Sequence, residues 1–255
     1  MHVVPQDLAG RLRRARHVAV LTGSGISAES GVPTFRDAQT GLWAKYRPEE
    51  LATPEAFARE PKLVWRWYAW RREIVARAEP NAGHRAIVAL AARVPRLTLI
   101  TQNVDGLHQR AGSTDVIEFH GNLARSTCSR EGIVTEPPDG DEVPPRCPRC
   151  GAYLRPDVVW FGEMIPPPAM TRAFDAAQSC DIFLSVGTSS LVYPAAALAE
   201  AAHAAGACVV EINPERTPHS HFAAHLLAGP AGEMLPALLA AVADAARTAI
   251  SERDA

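Results

Sequence analysis

The sequence has no surplus of either charge: 26 lysines and arginines stand against 28 acidic residues, a formal net charge of -2. Such a balance gives no bulk electrostatic attraction to nucleic acid or to an anionic membrane, although it leaves room for a local basic face. No apolar run approaches the length of a membrane span. The opening residues MHVVPQDLAG lack a basic segment followed by an apolar one, so they do not read as a secretion signal. No internal repeat is evident. Cysteine is scarce and odd in number, 5 in all, with two in a C-x-x-C pair and Cys180 and Cys208 in apolar segments. That usage argues against a disulfide framework and for a reducing compartment, cytoplasm being the expectation, with room for a metal site.

What is present is enough for a sizeable core. A chain of 255 residues suits one large domain, or a large domain carrying a smaller one. Short apolar runs at 17–22, 97–101, 181–187 and 208–213 read as buried strands, and helical sequence at 81–93, 169–179 and 194–205 alternates with them. This rhythm predicts an α/β fold with a mostly parallel sheet covered on both faces. Two segments break it. Residues 37–80 are helical and rich in Trp and Arg, and 124–155 are punctuated by Pro and Gly. Both are expected to form a smaller lobe, leaving 1–36, 81–123 and 156–255 as the sheet domain. The segment 231–249 reads as a covering helix interrupted or started near Pro236.

Several short stretches carry candidate chemistry. Gly23, Gly25 and Gly31 follow the first strand, where glycine permits tight turns and the following helix start can offer amides to a pyrophosphate; a plain strand-to-helix turn fits equally. Gln102, Asn103 and Asp105 follow the apolar LTLI, at the strand end where open parallel sheets place ligand groups, or else they form an Asx turn and helix cap. His120 in EFHGN is an imidazole able to exchange a proton near neutrality, while a lone histidine is more often structural. Pro61 opens a helix over 61–78 that carries VWRWYAWRREIV, on which Tyr68 and Arg71 share a face, Trp67, Trp70 and Ile74 form an apolar stripe, and Arg72 covers the edge. Cys128, Cys147 and Cys150 stand at plausible metal spacing.

Taken in order, GSGISAESGVPTFR, TQNVDGLHQRAG, EFHGN, PDVVWFGE, VGTSSLVYPAA and EINPE closely resemble the sirtuin family of NAD-dependent protein lysine deacylases. The resemblance implies a Rossmann-type domain and a small helical, zinc-ribbon-like lobe, with NAD and an acyl-lysine peptide meeting between them. It assigns Gly23, Ser24, Gly25, Ala28 and Glu29 to the first dinucleotide loop, with Ser24 where alanine is common. Phe35 and Arg36 would lie over the cofactor, Gly187, Thr188 and Ser189 against it, Asn213 and Glu215 near the adenosine half, and Ala231 near the adenine. Gln102 would stand beside the ribose, Asn103 and Asp105 by the nicotinamide, and His120 would be the general base. By the same resemblance NAD is consumed: acyl transfer releases nicotinamide, free lysine and O-acyl-ADP-ribose.

Tyr68 and Arg71 resemble the pair of the sirtuin subclass that removes succinyl, malonyl and glutaryl groups, with Ala52 leaving room for the longer chain. A guanidinium can clasp the distal carboxylate while a phenol adds a hydrogen bond. Val159, Trp160, Phe161, Gly162, Leu191 and Tyr193 fall in what look like the family's peptide-binding strands, where a substrate backbone can pair with a sheet edge. Glu131 occupies the place of the fourth metal-binding cysteine, and some zinc binding by Cys128, Glu131, Cys147 and Cys150 is expected. Acylated-lysine proteins are the expected partners, with neither nucleic acid nor membrane. Deacetylation with a permissive pocket, mono-ADP-ribosyl transfer and a non-catalytic NAD or ADP-ribose binding module remain alternatives.

Overall fold

The computed structural model describes residues 4–33, 46–136 and 141–251, with side chains through 243 apart from that of Glu49. An amphipathic helix, α1 (Gln6–Arg14), leads into a strand, β1 (His17–Thr22), that is buried at every position. Its side chains alternate between two cores, Val18 and Val20 joining one, Ala19 and Leu21 the other. A strand covered on both faces needs no polar alternation, which is why this stretch is nearly all apolar. One turn of helix, α2 (Gly25–Ala28), follows, then α3 (Pro48–Leu51), α4 (Pro54–Arg59) and α5 (Pro61–Arg77). The sheet resumes through α6 (Ala82–Ala91), β2 (Arg96–Thr101), α7 (Leu107–Arg110) and β3 (Ile117–Glu118). Strands β4 (Gly121–Cys128) and β5 (Leu154–Val158) pair with each other, antiparallel and apart from the main sheet. The chain continues through α8 (Pro167–Ser179), β6 (Ile182–Val186), α9 (Ala197–Ala204), β7 (Cys208–Asn213), β8 (His225–Ala228) and α10 (Ala231–Ser251).

The six-stranded sheet runs β3-β2-β1-β6-β7-β8, and every neighbouring pair is parallel. The chain lays β2 and β3 on one side of β1, then crosses to build outward from β6. Strand order therefore reverses between β1 and β6, the place where such sheets open a crevice at their carboxyl ends. Helices α1, α6 and α10 cover one face, α8 and α9 the other. This is the Rossmann-like arrangement expected, with a smaller lobe attached.

The four predicted strands are present, and β8 joins them although its sequence, HLLA, is too short to stand out. In α10 the helix starts at Ala231 and Pro236 lies inside it. The smaller lobe holds an aromatic core in which Phe57, Trp67, Tyr68 and Trp160 gather around Leu51, Ala52 and Leu123. Among the described residues between β4 and β5, proline and glycine keep the path irregular, yet β4 runs through residue 123 and β5 through 155, so paired strands carry the chain across the expected lobe borders. Arg72 corrects the expectation of an edge cover. It stacks over Trp65 at 5.0 Å and donates to the carbonyls of Leu123 and Arg125 and to Ser126 Oγ, fastening α5 to β4.

Candidate active site

The crevice between β1 and β6 is floored by glycines packed backbone to backbone. A Cβ on Gly23 would meet Gly187 O at 2.7 Å, one on Gly25 would meet Gly187 Cα at 2.8 Å, and one on Gly187 would meet Ile26 N at 2.5 Å. Gly23 N donates to Val186 O and Gly25 N to Gly187 O. Those two amides are thus spent within the protein, so the glycines let two loops interlock rather than offer these amides to a phosphate. Ser24 and Ser189 are half-buried on the loops, Ala28 exposed, and Thr188 buried. Glu29 reaches farther, its carboxylate accepting from Gly232 N at 2.7 Å in the first turn of α10, beside the buried Ala231. An anion suits a helix N-terminus, so Glu29 ties the first loop to α10. Asn213, at the end of β7, donates to the Glu215 carbonyl at 3.0 Å. Phe35 and Arg36 lie outside the described residues.

At the end of β2 the polar residues converge. Asp105 is 8% exposed; one carboxylate oxygen accepts from Leu107 N at 2.9 Å, the other from Ser27 Oγ at 2.7 Å. Asn103 Nδ2 donates to the same Ser27 hydroxyl at 3.0 Å. Burial raises the Asp105 pKa, opposed by these donors and by the charge of Arg71. Asp105 thus forms an Asx turn onto Leu107 N at the start of α7, whose N-cap is Gly106, and shares the Ser27 hydroxyl with Asn103. Gln102 donates to Thr188 Oγ1 at 3.0 Å, bridging the two sides of the switch point.

His120 stands half-buried just before β4, with Nδ1 3.1 Å from the Gln102 carbonyl. A carbonyl only accepts, so Nδ1 carries the proton and Nε2 keeps its lone pair. Burial lowers the ring's pKa, with the carbonyl contact acting the other way. The neutral, proton-accepting form is therefore the one favoured at neutral pH.

The smaller lobe supplies a second set. Tyr68 is 3% exposed, its hydroxyl accepting from Trp160 Nε1 at 2.9 Å, and burial pushes its pKa up to about 12. The phenol therefore stays neutral with a proton to donate. One turn on, the half-buried Arg71 guanidinium lies 5.1 Å over the Trp67 ring and is coupled electrostatically to both Tyr68 and Asp105, while burial lowers its pKa. Ala52 is buried in the same cluster, and its carbonyl accepts from Phe161 N at 2.9 Å.

The predicted peptide strands take another form. β5 ends at Val158 and residues 159–163 turn irregularly, as do 189–195. Trp160 faces inward, 3% exposed beneath Arg155, whose Cζ lies 3.4 Å from the ring centroid; it belongs to the buried aromatic cluster of the smaller lobe. Arg155 in turn pairs with Glu163 through both carboxylate oxygens. Val159 is half-buried, and Phe161, Gly162, Leu191 and Tyr193 remain outward.

A family model described as the Sir2 family matches residues 23–194. This chain belongs to the Sir2 family. It is 54% identical over 245 residues to an NAD-dependent protein deacylase of Methylococcus capsulatus, across 92% of this chain and 96% of that protein. NAD-dependent protein deacylase 1 of Pseudomonas aeruginosa is 51% identical over 248 residues, 94% of this chain and 98% of its own. A Sir2 homolog-NAD complex superimposes with a TM-score of 0.87 at 43% identity over 96% of each chain. A Sir2-p53 peptide-NAD+ complex does so with a TM-score of 0.84 at 29% identity, covering 93% of this chain and 98% of that one.

This sirtuin brings its predicted metal residues together. Cys128 to Gly132 and Cys147 to Gly151 form turns of one shape: Gly132 N donates to Cys128 O and Gly151 N to Cys147 O, both at 2.9 Å, with glycine φ of 66° and 70°. Glu131 thus holds in the first turn the place that Cys150 holds in the second. One ligand atom from each of Cys128, Glu131, Cys147 and Cys150 lies within 4.8 Å of the others. The Cys128 and Cys150 sulfurs are 3.4 Å apart. Sulfurs on a tetrahedral zinc stand about 3.8 Å apart, so this pair would open by a few tenths of an ångström around the metal. Three thiolates and a carboxylate fit zinc chemically. Arg149, 3.4 Å from Glu131, competes for the same carboxylate.

Sequence reasoning missed Ser27, the hydroxyl shared by Asn103 and Asp105. It also missed Asn81, whose amide donates to the Ile26 carbonyl and Ser30 Oγ while its oxygen caps α6. Both sat inside stretches that read as ordinary turn and cap, and only the fold reveals their partners.

Proposed function

We propose that this NAD-dependent protein deacylase of the Sir2 family acts by preference on lysines bearing succinyl, malonyl or glutaryl groups. The observation that carries the proposal is the Tyr68 and Arg71 pair against the small-lobe aromatic cluster, a neutral phenol beside a half-buried cation, with small Ala52 in the same cluster. A distal carboxylate entering there gains a charge-assisted contact in a partly desolvated site, where such bonds are strongest. An acetyl group has nothing to offer that cation.

The donor set at the switch point suits NAD as the second reactant: Gln102, Asn103, Thr188 and Ser189 stand on either side of a crevice whose floor is closed by interlocked glycines. NAD would supply the electrophilic ribose carbon, losing nicotinamide there while its ADP-ribose part accepts the acyl group. Asn103 and Asp105, braced by Ser27, would orient that end, and Glu29 and Asn213 would frame the adenosine half. His120 takes a ribose hydroxyl proton at Nε2 while the Gln102 carbonyl holds its ring in place. General-base help of this kind contributes about 10²–10⁴-fold. The rest of the protein's task is to hold two reactants in register and exclude competing water. Zinc, where bound by Cys128, Glu131, Cys147 and Cys150, would brace the small lobe rather than take part in transfer.

The test is a competition among acetyl, succinyl, malonyl and glutaryl forms of one lysine peptide, with NAD-dependent products resolved by mass. Acidic acyl groups should be removed first. Preferential removal of acetyl would favour an ordinary deacetylase, and no peptide-dependent nicotinamide release would favour a binding module.

A further inference from the structure

The segment expected to meet the peptide has a second side. Ser190, Leu191 and Tyr193 line an open cavity of about 440 Å³ whose far wall is made by His203 of α9 and the turn ending at Phe222. Phe222 is its centre: the His203 ring stacks on it at 4.9 Å and 29°, His219 tilts against it at 5.0 Å, and His221 meets it edge-on at 5.0 Å. Tyr193 donates to Glu200 Oε1 at 2.6 Å, and Glu200 faces His219 Nε2 at 3.3 Å, so the exposed loop is latched to this aromatic wall. Two lining residues hold buried polar atoms without a partner, Ser190 Oγ and His219 Nδ1, on side chains only 5% and 4% exposed. Ser190 also adopts φ 56°, in the left-handed region that strains a residue other than glycine.

A largely apolar cavity with a few buried polar atoms is the ordinary form of a binding site. These imidazoles and Glu200 do not form a metal set; among the described residues, the cluster close enough to share a cation is that of Cys128, Glu131, Cys147 and Cys150. We propose that the cavity is a subsite for an aromatic side chain of the substrate protein, two or three residues from the acyl-lysine. The inference rests on the deacylase reading of the neighbouring site.

The spacing follows from the chain. Thr188 bonds Gln102, whose carbonyl holds His120. Leu191, three residues on, lies no more than about 11 Å from Thr188 along the backbone. An extended peptide advances about 3.3 Å per residue with side chains on alternate faces, so two or three steps span about 7–10 Å, the same range as the reach from Thr188 to Leu191. Stacked rings favour another ring, and the buried polar atoms favour one with a polar edge, tyrosine or tryptophan.

The test uses the whole protein, NAD and peptides with one acyl-lysine among alanines. Leucine, aspartate, lysine, phenylalanine, tyrosine or tryptophan replaces alanine singly at the three positions on each side. An aromatic at one position should raise kcat/KM about tenfold over alanine. His203→Ala, on an exposed side chain, and Phe222→Leu should each remove most of that gain while leaving the all-alanine peptide unaffected. A flat series, or a gain that survives both variants, overturns the subsite. Turnover of the all-alanine peptide keeps the two ideas apart: with it, a flat series sinks the subsite alone, and without it both fall.

Discussion

The two halves of the active site are built from opposite materials. On the sheet side, short groups fix everything: glycines interlock without side chains, and Ser27, Asn103, Asp105, Gln102 and Thr188 bond one another over single contacts. On the small-lobe side, long side chains do the positioning, with Arg155 over Trp160, Trp160 on Tyr68 and Arg71 over Trp67. Short buried bonds leave few alternative geometries, which suits bond-making atoms that must hold station. Stacked aromatics and guanidinium groups tolerate a range of shapes, which suits the choice of acyl group. The halves meet where the charge of Arg71 acts on Asp105.

Substitution at the sheet side should hurt all acyl groups alike. His120→Ala should lower kcat by about 10³-fold with every peptide while NAD still binds. In the wild-type protein the acid limb of kcat/KM should fall below the ordinary imidazole value, because burial lowers the His120 pKa and the base form persists to lower pH. A limb above that value, or a His120→Ala enzyme of near-normal rate, would contradict the assigned base.

Behind the same loops lies a buried histidine pair, His84 and His108, with ring centroids 4.8 Å apart and pKa values lowered by burial to about 4 and about 3. His108 reaches Thr22 Oγ1 at 2.9 Å, and Thr22 bonds Thr101 at 2.8 Å, whose hydroxyl holds Asn103 N at 3.1 Å. Unfolded histidine titrates near 6.5, so between there and about pH 4 the unfolded chain binds protons that the folded rings refuse. Stability should fall as pH falls through that window, by up to about 3 kcal/mol for each ring. Urea midpoints at pH 7.5 and 4.5 measure it, and His84→Gln should flatten the dependence. An unchanged slope would mean the pair is not held neutral.

A smaller effect is expected at Ser27→Ala. Losing the shared hydroxyl leaves a buried carboxylate and amide short of a partner, and kcat/KM should drop about tenfold for acetyl and succinyl peptides equally. A drop confined to one acyl group would move Ser27 to the other half of the comparison. Smallest of all should be Glu131→Cys. It should tighten zinc retention against a chelator, measured by metal analysis, and leave turnover unchanged; altered turnover would tie the metal cluster to the chemistry.

Much of this was legible in the sequence, for physical reasons that also set the limits. β1 and β6 stand out because a strand buried on both faces must be apolar along its length, and Gly23, Gly25 and Gly187 stand out because no other residue lets those loops touch. β8 is too short to show a period, and the β4–β5 pair hides among prolines and glycines. Trp160 read as part of a peptide-binding strand, yet it is 3% exposed while its neighbours Phe161 and Gly162 are exposed, because positions in that irregular turn face different ways. Ser27 was passed over and Arg72 read only as an edge cover because their partners lie at least 76 and 51 residues away in sequence.

One pair of rates tests the acidic-acyl assignment most directly. Succinyl and acetyl forms of one peptide, mixed with NAD, are given to the wild-type protein and to Arg71→Met, and the ratio of the two kcat/KM values is compared. Because Arg71 also acts on Asp105, both rates should fall somewhat, so the ratio rather than either rate is the readout. A succinyl preference that drops by about tenfold to a hundredfold in the variant is expected, the loss of hydrogen bonds to a charged group. A ratio unchanged by the loss of the guanidinium would contradict the assignment.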